Sequence, residues 1–434
     1  MQTAVLISVG ICGISRAADA QGASVQSAAE SAALARRLSG EASTLLAAGD
    51  TVTAHRRMIA ATDAWPAQPL YFWRRAQFAA AARDTADVLI ALTRFTAMGM
   101  TRDIATDRLL ATFRTLPSMR PITAALAANA APIVRSRVRL TLPDSSSWPE
   151  GLAYDARTKR WFVTSVRHGT IVIADATGSR ALWPERPPRV GAMLAVALDP
   201  DGRHLWATTA GIPQLAAFSA ADSTIAALLK VRIGDGAIVQ RFDLPPVAAR
   251  HMLGDVVIGP NGDLFISDSQ DPTLHRLRRG ATALESFTDP LFRSLQGIAP
   301  ANENTVYVAD YSHGLLRVDL RTRQVTRLHD AADGASLGVD GLAWYRGSLI
   351  GVQNGVAPAR IVRFHLDATG TRIARQELLD RNAAVADEPT IGVVVGDEYV
   401  YVANSQWEKH DDAGRRRPGT TLAPTILLAL PLTR

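Results

Sequence analysis

The sequence predicts a mainly β chain: a six-bladed β-propeller preceded by a small α-helical, tetratricopeptide-like domain. Three observations predict it. A unit of strand, tight turn, strand and polar loop recurs from about residue 135 to the end of the 434-residue chain. The stretch before it is rich in Ala, Leu and Arg with helical periodicity. The β region also begins with "RVRLTLP" and ends with "TILLALPL", two strands that can complete one blade together and close the ring without an exposed edge. A hydrophobic content of 47% over this length is enough for two domains rather than one core.

The N-terminus reads "MQTAVLISVGICGISRAADAQ". Ala4 to Ile14 is an apolar stretch of signal-peptide length, and Ala18-Asp19-Ala20 is an A-x-A cleavage pattern. The expectation is a leader over residues 1–20 and a periplasmic or secreted protein. The n-region carries no Lys or Arg, and a buried first helix would have the same pattern. Cys12, the single cysteine, falls within the leader, so the mature chain could hold no disulfide framework. No later stretch is long and apolar enough to span a membrane. The net charge of +6 comes almost wholly from scattered arginines, with one run at Arg415-Arg416-Arg417. That distribution reads as solvated surface and not as a nucleic-acid footprint.

Residues 24–131 form the helical domain. "LLAAGDTVTAHRRMIAA" and "AAAARDTADVLIALTRF" align Ala48, Asp50 and Thr51 with Ala82, Asp84 and Thr85, a shift of 34 residues and the tetratricopeptide period. Only about two repeats are present, and plain helical hairpins packed on the next domain fit the pattern equally well. A tetratricopeptide-like array would supply a groove for a protein partner.

The propeller is expected over residues 135–434. Its units begin near Glu150, Met193, Gly254, Gln296, Asp340 and Thr390, at spacings of about 42 to 61 residues, the length of a four-stranded blade. "DPDG" at Asp199 and "GPNG" at Gly259 are inner hairpin turns. The second unit is the longest and carries the extra stretch "SAADSTIAALLKVRIGDGA".

The innermost strand of every blade starts at one rim of the central channel, so the residues just before those strands converge. The first convergent set is Glu150, Gly254-Asp255, Gln296 and Asp340. A second set lies in loops returning to the same face: Arg167 and His168, Asp268 to Gln270, Asp310 to His313, Gln353 and Asn354, and Asn404 to Trp407. Carboxylates and a carboxamide gathered on one axis repel unless a positive charge sits among them. Hard oxygen ligands suit Ca²⁺, with Mg²⁺ or Mn²⁺ as alternatives. The plainer reading is that acid-Gly and Gln-Gly pairs cap strand starts in turns.

"PEGLAYD", "VDGLAWY", "GDVVIGPNGDLFISDS" and "QGIAPANENTVYVADYSHGLLRVDL" give this region a specific likeness. It resembles the calcium-dependent propellers of the gluconolactonase, senescence-marker-protein and paraoxonase superfamily over about 290 residues. The resemblance implies that Glu150 and Asp340 are metal ligands. It places Gly254 where the family has Asn, with Asp255 keeping its neighbour, and Gln296 at the other Asn position. Gln296 can still offer a carbonyl oxygen; Gly254 offers no side-chain ligand. The implied metal set is Glu150, Asp255, Gln296 and Asp340.

The chemistry implied is hydrolysis of a lactone or ester, with the metal polarising the carbonyl. Asp340 then doubles as base, and His313 or His168 is the proton carrier. Met193 stands where a paraoxonase-type His would be. No G-x-S-x-G elbow, H-E-x-x-H, phosphate loop or haem CxxCH occurs. Trp407 walls the pocket or packs between blades. The function expected is an exported, metal-dependent, lactonase-like hydrolase. The alternative is a non-catalytic propeller whose helices and channel face bind a protein or small ligand.

Overall fold

The computed structural model describes residues 19–247, 250–331 and 333–433. The expected leader lies outside them except for Asp19 and Ala20, where the first helix begins. Five α-helices come first among the described residues: α1 (Asp19–Ala47), α2 (Thr51–Ala64), α3 (Pro69–Ala81), α4 (Thr85–Ala97) and α5 (Arg120–Ala130). The 34-residue shift reappears as local structure. Asp50 caps α2 by accepting the Thr53 N–H at 3.0 Å, and Asp84 caps α4 by accepting the Asp87 N–H at 3.0 Å. The residue before each cap is left-handed, Gly49 at φ 86° and Arg83 at φ 62°. Two helical hairpins thus share one turn geometry. No helix among the described residues is long and apolar enough to cross a membrane.

Six four-stranded antiparallel sheets follow, arranged as the blades of a propeller. Their innermost strands are Pro149–Asp155, Ala192–Leu198, Leu253–Ile258, Leu295–Asn302, Val339–Tyr345 and Gly392–Val395, and these define blades 1 to 6. Strand Arg137–Leu142 pairs with Thr425–Pro431 as the outer edge of blade 6, so the two chain ends of the β region lock the ring. Apolar clusters fill the spaces between successive blades, as alternation along each strand requires.

Side chains on the second strands stitch neighbouring blades at the channel. Thr164 Oγ1 accepts the Gly151 N–H and donates to Leu194 O of blade 2 at 2.9 Å. Thr208 Oγ1 accepts the Ala195 N–H and donates to Leu253 O of blade 3 at 2.8 Å. The recurring glycine in "EGLA", "QGIA" and "DGLA" has the same origin. A Cβ at Gly151 would stand 2.6 Å from Leu194 O, and one at Gly297 would stand 2.3 Å from Leu342 N. The inner strands approach too closely there for any side chain.

Two of the joints between the helical layer and the propeller are arginines that cap helix C-termini. Arg360 donates to the carbonyls of Met98 (3.4 Å) and Gly99 (3.1 Å) at the end of α4, and its Nε donates to Gln353 Oε1 at 2.7 Å. Arg381 donates to Ala128 O (2.9 Å) and Ala131 O (2.8 Å) at the end of α5, beside Asn382 on Ala130 O. Cationic donors suit the negative end of a helix dipole. Arg360 is buried without a carboxylate partner among the described residues, and burial pulls its pKa down to about 10.

Candidate active site at the channel mouth

Each inner strand starts at the same level of the ring. Pro149 opposes Ser165, Leu253 opposes Asp268, Leu295 opposes Asp310 and Val339 opposes Gln353. The next residue in each blade, Glu150, Gly254, Gln296 or Asp340, therefore stands at the channel mouth. Glu150 and Asp340 belong to blades 1 and 5, on either side of blade 6, which contributes Thr390. Thr390 Oγ1 lies 2.9 Å from Glu150 Oε1 and 2.8 Å from Asp340 Oδ2. A hydroxyl carries one hydrogen, so it satisfies only one of these carboxylates as donor. The other contact calls for a proton on a carboxyl group, or for a cation beside the pair.

The remaining partners hold this pair in place. Trp407 Nε1 donates to Glu150 Oε2 at 2.6 Å, and Trp407 packs edge-on against Trp148, itself stacked on His410 at 4.0 Å. Asn354 Nδ2 donates to Asp340 Oδ2 (2.8 Å) and Pro389 O (2.9 Å), while Tyr311 donates to Asn354 Oδ1 at 3.1 Å. Asp340 Oδ1 accepts no hydrogen bond among the described residues. Burial, and then the neighbouring Asp340, push the Glu150 carboxyl up to about 8. Burial raises Asp340 as well. Glu388, whose charge reaches Glu150, is pushed up to about 7 by burial. The mouth gathers carboxyl groups that burial and mutual repulsion press toward the protonated form in the absence of a cation.

Gln296 and Gly254 make a complementary exchange. The one heavy atom within 4 Å of a Cβ built at Gly254 is Gln296 Oε1, at 3.3 Å. The longer carboxamide reaches over the space that a side chain on blade 3 would fill. Asp255 is placed differently from the other three. It occupies the position that is glycine in blades 1, 4 and 5, and its Oδ2 accepts the Ile298 N–H of blade 4 at 2.8 Å. Its Oδ1 accepts the Val256 N–H at 2.8 Å. One oxygen thus stitches blade 3 to blade 4, the task Thr164 and Thr208 perform elsewhere, and the other is held by its own strand. Burial pushes its carboxyl up to about 7. Asp255 lies on the channel side of the ring and lines a cavity of about 530 Å³ whose other walls are mainly aliphatic.

His313 is not at the acid pair. Its Nδ1 donates to Leu291 O at 2.8 Å, its Nε2 meets Arg36 of α1 at 2.8 Å, and Trp65 abuts its ring. Both nitrogens are used to seat the helical layer on blade 4, leaving neither free to carry a proton at the mouth. His168 is exposed and sits 3.1 Å from Asp144. Of the returning loops, Asn354 and Trp407 reach the acids. Gln353, Asp268, Asp310 and Asn404 instead hold loop backbone. Thr390 and the Trp148–His410 platform were not anticipated as site residues. The only signal for Thr390 was its place at the opening of the sixth unit.

The donor set of the mouth fits a hard cation in part. Glu150, Asp340 and Gln296 present oxygen atoms, the acid pair has one donor hydrogen too few, and Asp255 is already committed.

No protein-family model matches the chain, and no curated protein matches it. Solved structures are similar to the chain at low identity. A gluconolactonase from Xanthomonas campestris is 17% identical with a TM-score of 0.46, over 71% of this chain and 93% of its own. A virginiamycin B lyase from Staphylococcus aureus, solved with quinupristin, is 14% identical with a TM-score of 0.46, over 69% of this chain and 100% of its own. Likeness at this level extends to the propeller fold and no further.

Proposed function

We propose that the protein is a lactonase-like hydrolase that opens a lactone or ester at the propeller mouth. The observation that carries this reading is the Glu150–Thr390–Asp340 bridge. Two carboxyl groups share a single donor hydrogen, and burial raises both pKa values. Glu150, Asp340 and Gln296 would hold Ca²⁺, with Mg²⁺ or Mn²⁺ as alternatives, and such a cation polarises a substrate carbonyl when bound. Asp340 Oδ1, free of hydrogen bonds, takes the proton of the attacking water. Asn354 and Thr390 fix the other Asp340 oxygen, so the free one keeps a constant direction. Trp407 and the aromatic platform behind it orient Glu150. Water's oxygen adds to the carbonyl carbon, the acyl C–O bond breaks, and the departing alkoxide recovers the proton.

A second reading, a non-catalytic binding propeller, is favoured by one feature: both Glu150 oxygens already have hydrogen-bonding neighbours, Thr390 and Trp407. Thermal melts of wild type, Glu150→Gln and Asp340→Asn with Ca²⁺ and with chelator separate the readings. Saturating Ca²⁺ should stabilise wild type by about 2–4 kcal/mol at 100 to 1,000 times the dissociation constant. Both variants should lose most of that gain and also lose turnover on a panel of lactones and aryl esters. A wild type that neither shifts with Ca²⁺, Mg²⁺ or Mn²⁺ nor turns over any member of the panel supports the binding propeller instead.

A further inference from the structure

A second group of ligand-type side chains lies between blades 2 and 3, away from the acid pair. His251, Asp268 and Asp271 each place a ligand atom within 4.8 Å of the others. His251 and Asp268 are buried, and Asp271 is half-buried. His251 Nδ1 is 2.5 Å from Asp268 Oδ2, and its Nε2 is 2.8 Å from Pro245 O. A carbonyl oxygen only accepts, so Nε2 carries the hydrogen. Without a cation, Nδ1 also carries a hydrogen and donates to Asp268, and a bound cation would take the place of that hydrogen between the two. The ring would then have the arrangement in which a metal-ligating histidine donates its other N–H to a backbone carbonyl.

A second histidine stands near this group without belonging to it. His275 is 5% exposed, its Nδ1 is paired with Ser286 Oγ, and its Nε2 has no partner among the described residues. It stands opposite Ile266, two residues before Asp268 on the same strand, so His275 and Asp268 leave the same face of blade 3 as diagonal neighbours. The charges that reach its ring are those of Asp268, His251 and Asp271. An orphaned, buried imidazole nitrogen is costly unless something binds it.

Comparison of adjacent blades isolates what is unusual. Asp310 holds the same register position in blade 4, where backbone N–H groups of Arg293, Ser294, Ser312 and His313 occupy both its oxygens. Asp268 keeps three backbone donors on Oδ1 and gives Oδ2 to His251 alone. His251 also lines a cavity of about 260 Å³ formed by blade 2 and the chain leading into blade 3.

We propose that His251, Asp268 and Asp271 form a three-residue binding site for a borderline divalent cation of the Zn²⁺ class, with water filling the remaining positions. Mixed imidazole and carboxylate donors select such ions over Ca²⁺. The site joins the chain entering blade 3 to that blade's returning loop. Its role is structural, and its chemistry is distinct from the all-oxygen mouth.

The test uses the full chain, stripped with chelator and titrated with Co²⁺ as a spectroscopic probe and with Zn²⁺ by calorimetry. One equivalent should bind with visible ligand-field bands and raise the melting temperature. His251→Gln should weaken binding about 100-fold and Asp271→Asn about 10-fold or more. Asp271→Asn leaves the Asp268 turn intact and so keeps the test readable if the His251 variant folds poorly. Glu150→Gln should bind Co²⁺ as wild type does, which separates this site from the mouth. Absence of ligand-field bands in wild type, or unchanged Zn²⁺ affinity in both variants, would overturn the proposal and leave a His251–Asp268 ion pair only.

Discussion

At the scale of single residues, the mouth is a set of carboxyl groups that hold protons more tightly in the folded state than in the unfolded chain. Burial raises Glu150 to about 8 and Asp255 and Glu388 to about 7, and it raises Asp340 as well. The folded state therefore binds more protons than the unfolded chain from the ordinary carboxyl range up to about pH 8. For the cation-free protein, this stability is fully present below the unfolded pKa values and is lost as pH rises through the folded ones. Melting temperatures measured with chelator should fall between about pH 5 and pH 8.5, and Glu150→Gln should make that fall shallower. Equal slopes in the two proteins would mean that Glu150 does not titrate as its surroundings require. The sequence revealed Glu150 and Asp340 because acid-Gly recurs at the same point of two units. It did not reveal Thr390 between them, since that contact exists only when blades 5, 6 and 1 close on one another. Nor did it reveal that Asp255 replaces a glycine and faces backbone, which depends on how near blade 4 comes.

At the scale of elements, the repeat of strand, turn and strand made the blades legible, with each unit opening at the residue the spacing gave. The seam was legible for the same reason, as two unpaired strands at the ends of the β region. The helix ends that dock on the propeller were not, because a buried arginine such as Arg360 reads in sequence like any surface arginine. The seam strand Arg137–Leu142 is mostly exposed on its faces, with Leu142 its one buried side chain. Its main contribution is to cover the edge of Thr425–Pro431 rather than to bury apolar area. A chain that begins at Pro143 should therefore still form blades, but should associate through the opened edge. Light scattering against a chain beginning at Pro132 reads this difference. Equal monodispersity of the two fragments would show that edge pairing contributes little.

At the scale of the whole molecule, the question is whether the helical layer and the ring share a core or only a boundary. The apolar cluster at the junction is built almost entirely from helical-layer residues, and the propeller adds Ala335, with Val356 packed against it. The other joints are largely polar: Arg360 and Arg381 on helix-end carbonyls, Thr101 N–H on Ala357 O, and Arg36 on His313, joined by Ala28 and Ala29 of α1 on the core between blades 3 and 4 and by Trp65 against His313 and Arg327. A boundary with these few small apolar contacts exposes modest apolar surface when it is opened. Residues 132–434 should thus fold alone, at a lower melting temperature than the full chain. Arg360 gives the sharper test, because its surroundings differ between the two proteins. In the full chain it is buried and holds the helix-end carbonyls of Met98 and Gly99, so Arg360→Ala should cost about 2–3 kcal/mol. In residues 132–434 the same guanidinium meets solvent, and the substitution should cost about 0.5 kcal/mol or less. Denaturant melts of the four proteins give both differences. Equal costs would place the role of Arg360 within blade 5, through Gln353, and would leave the docking of the helices to Arg36, Arg381 and the apolar cluster.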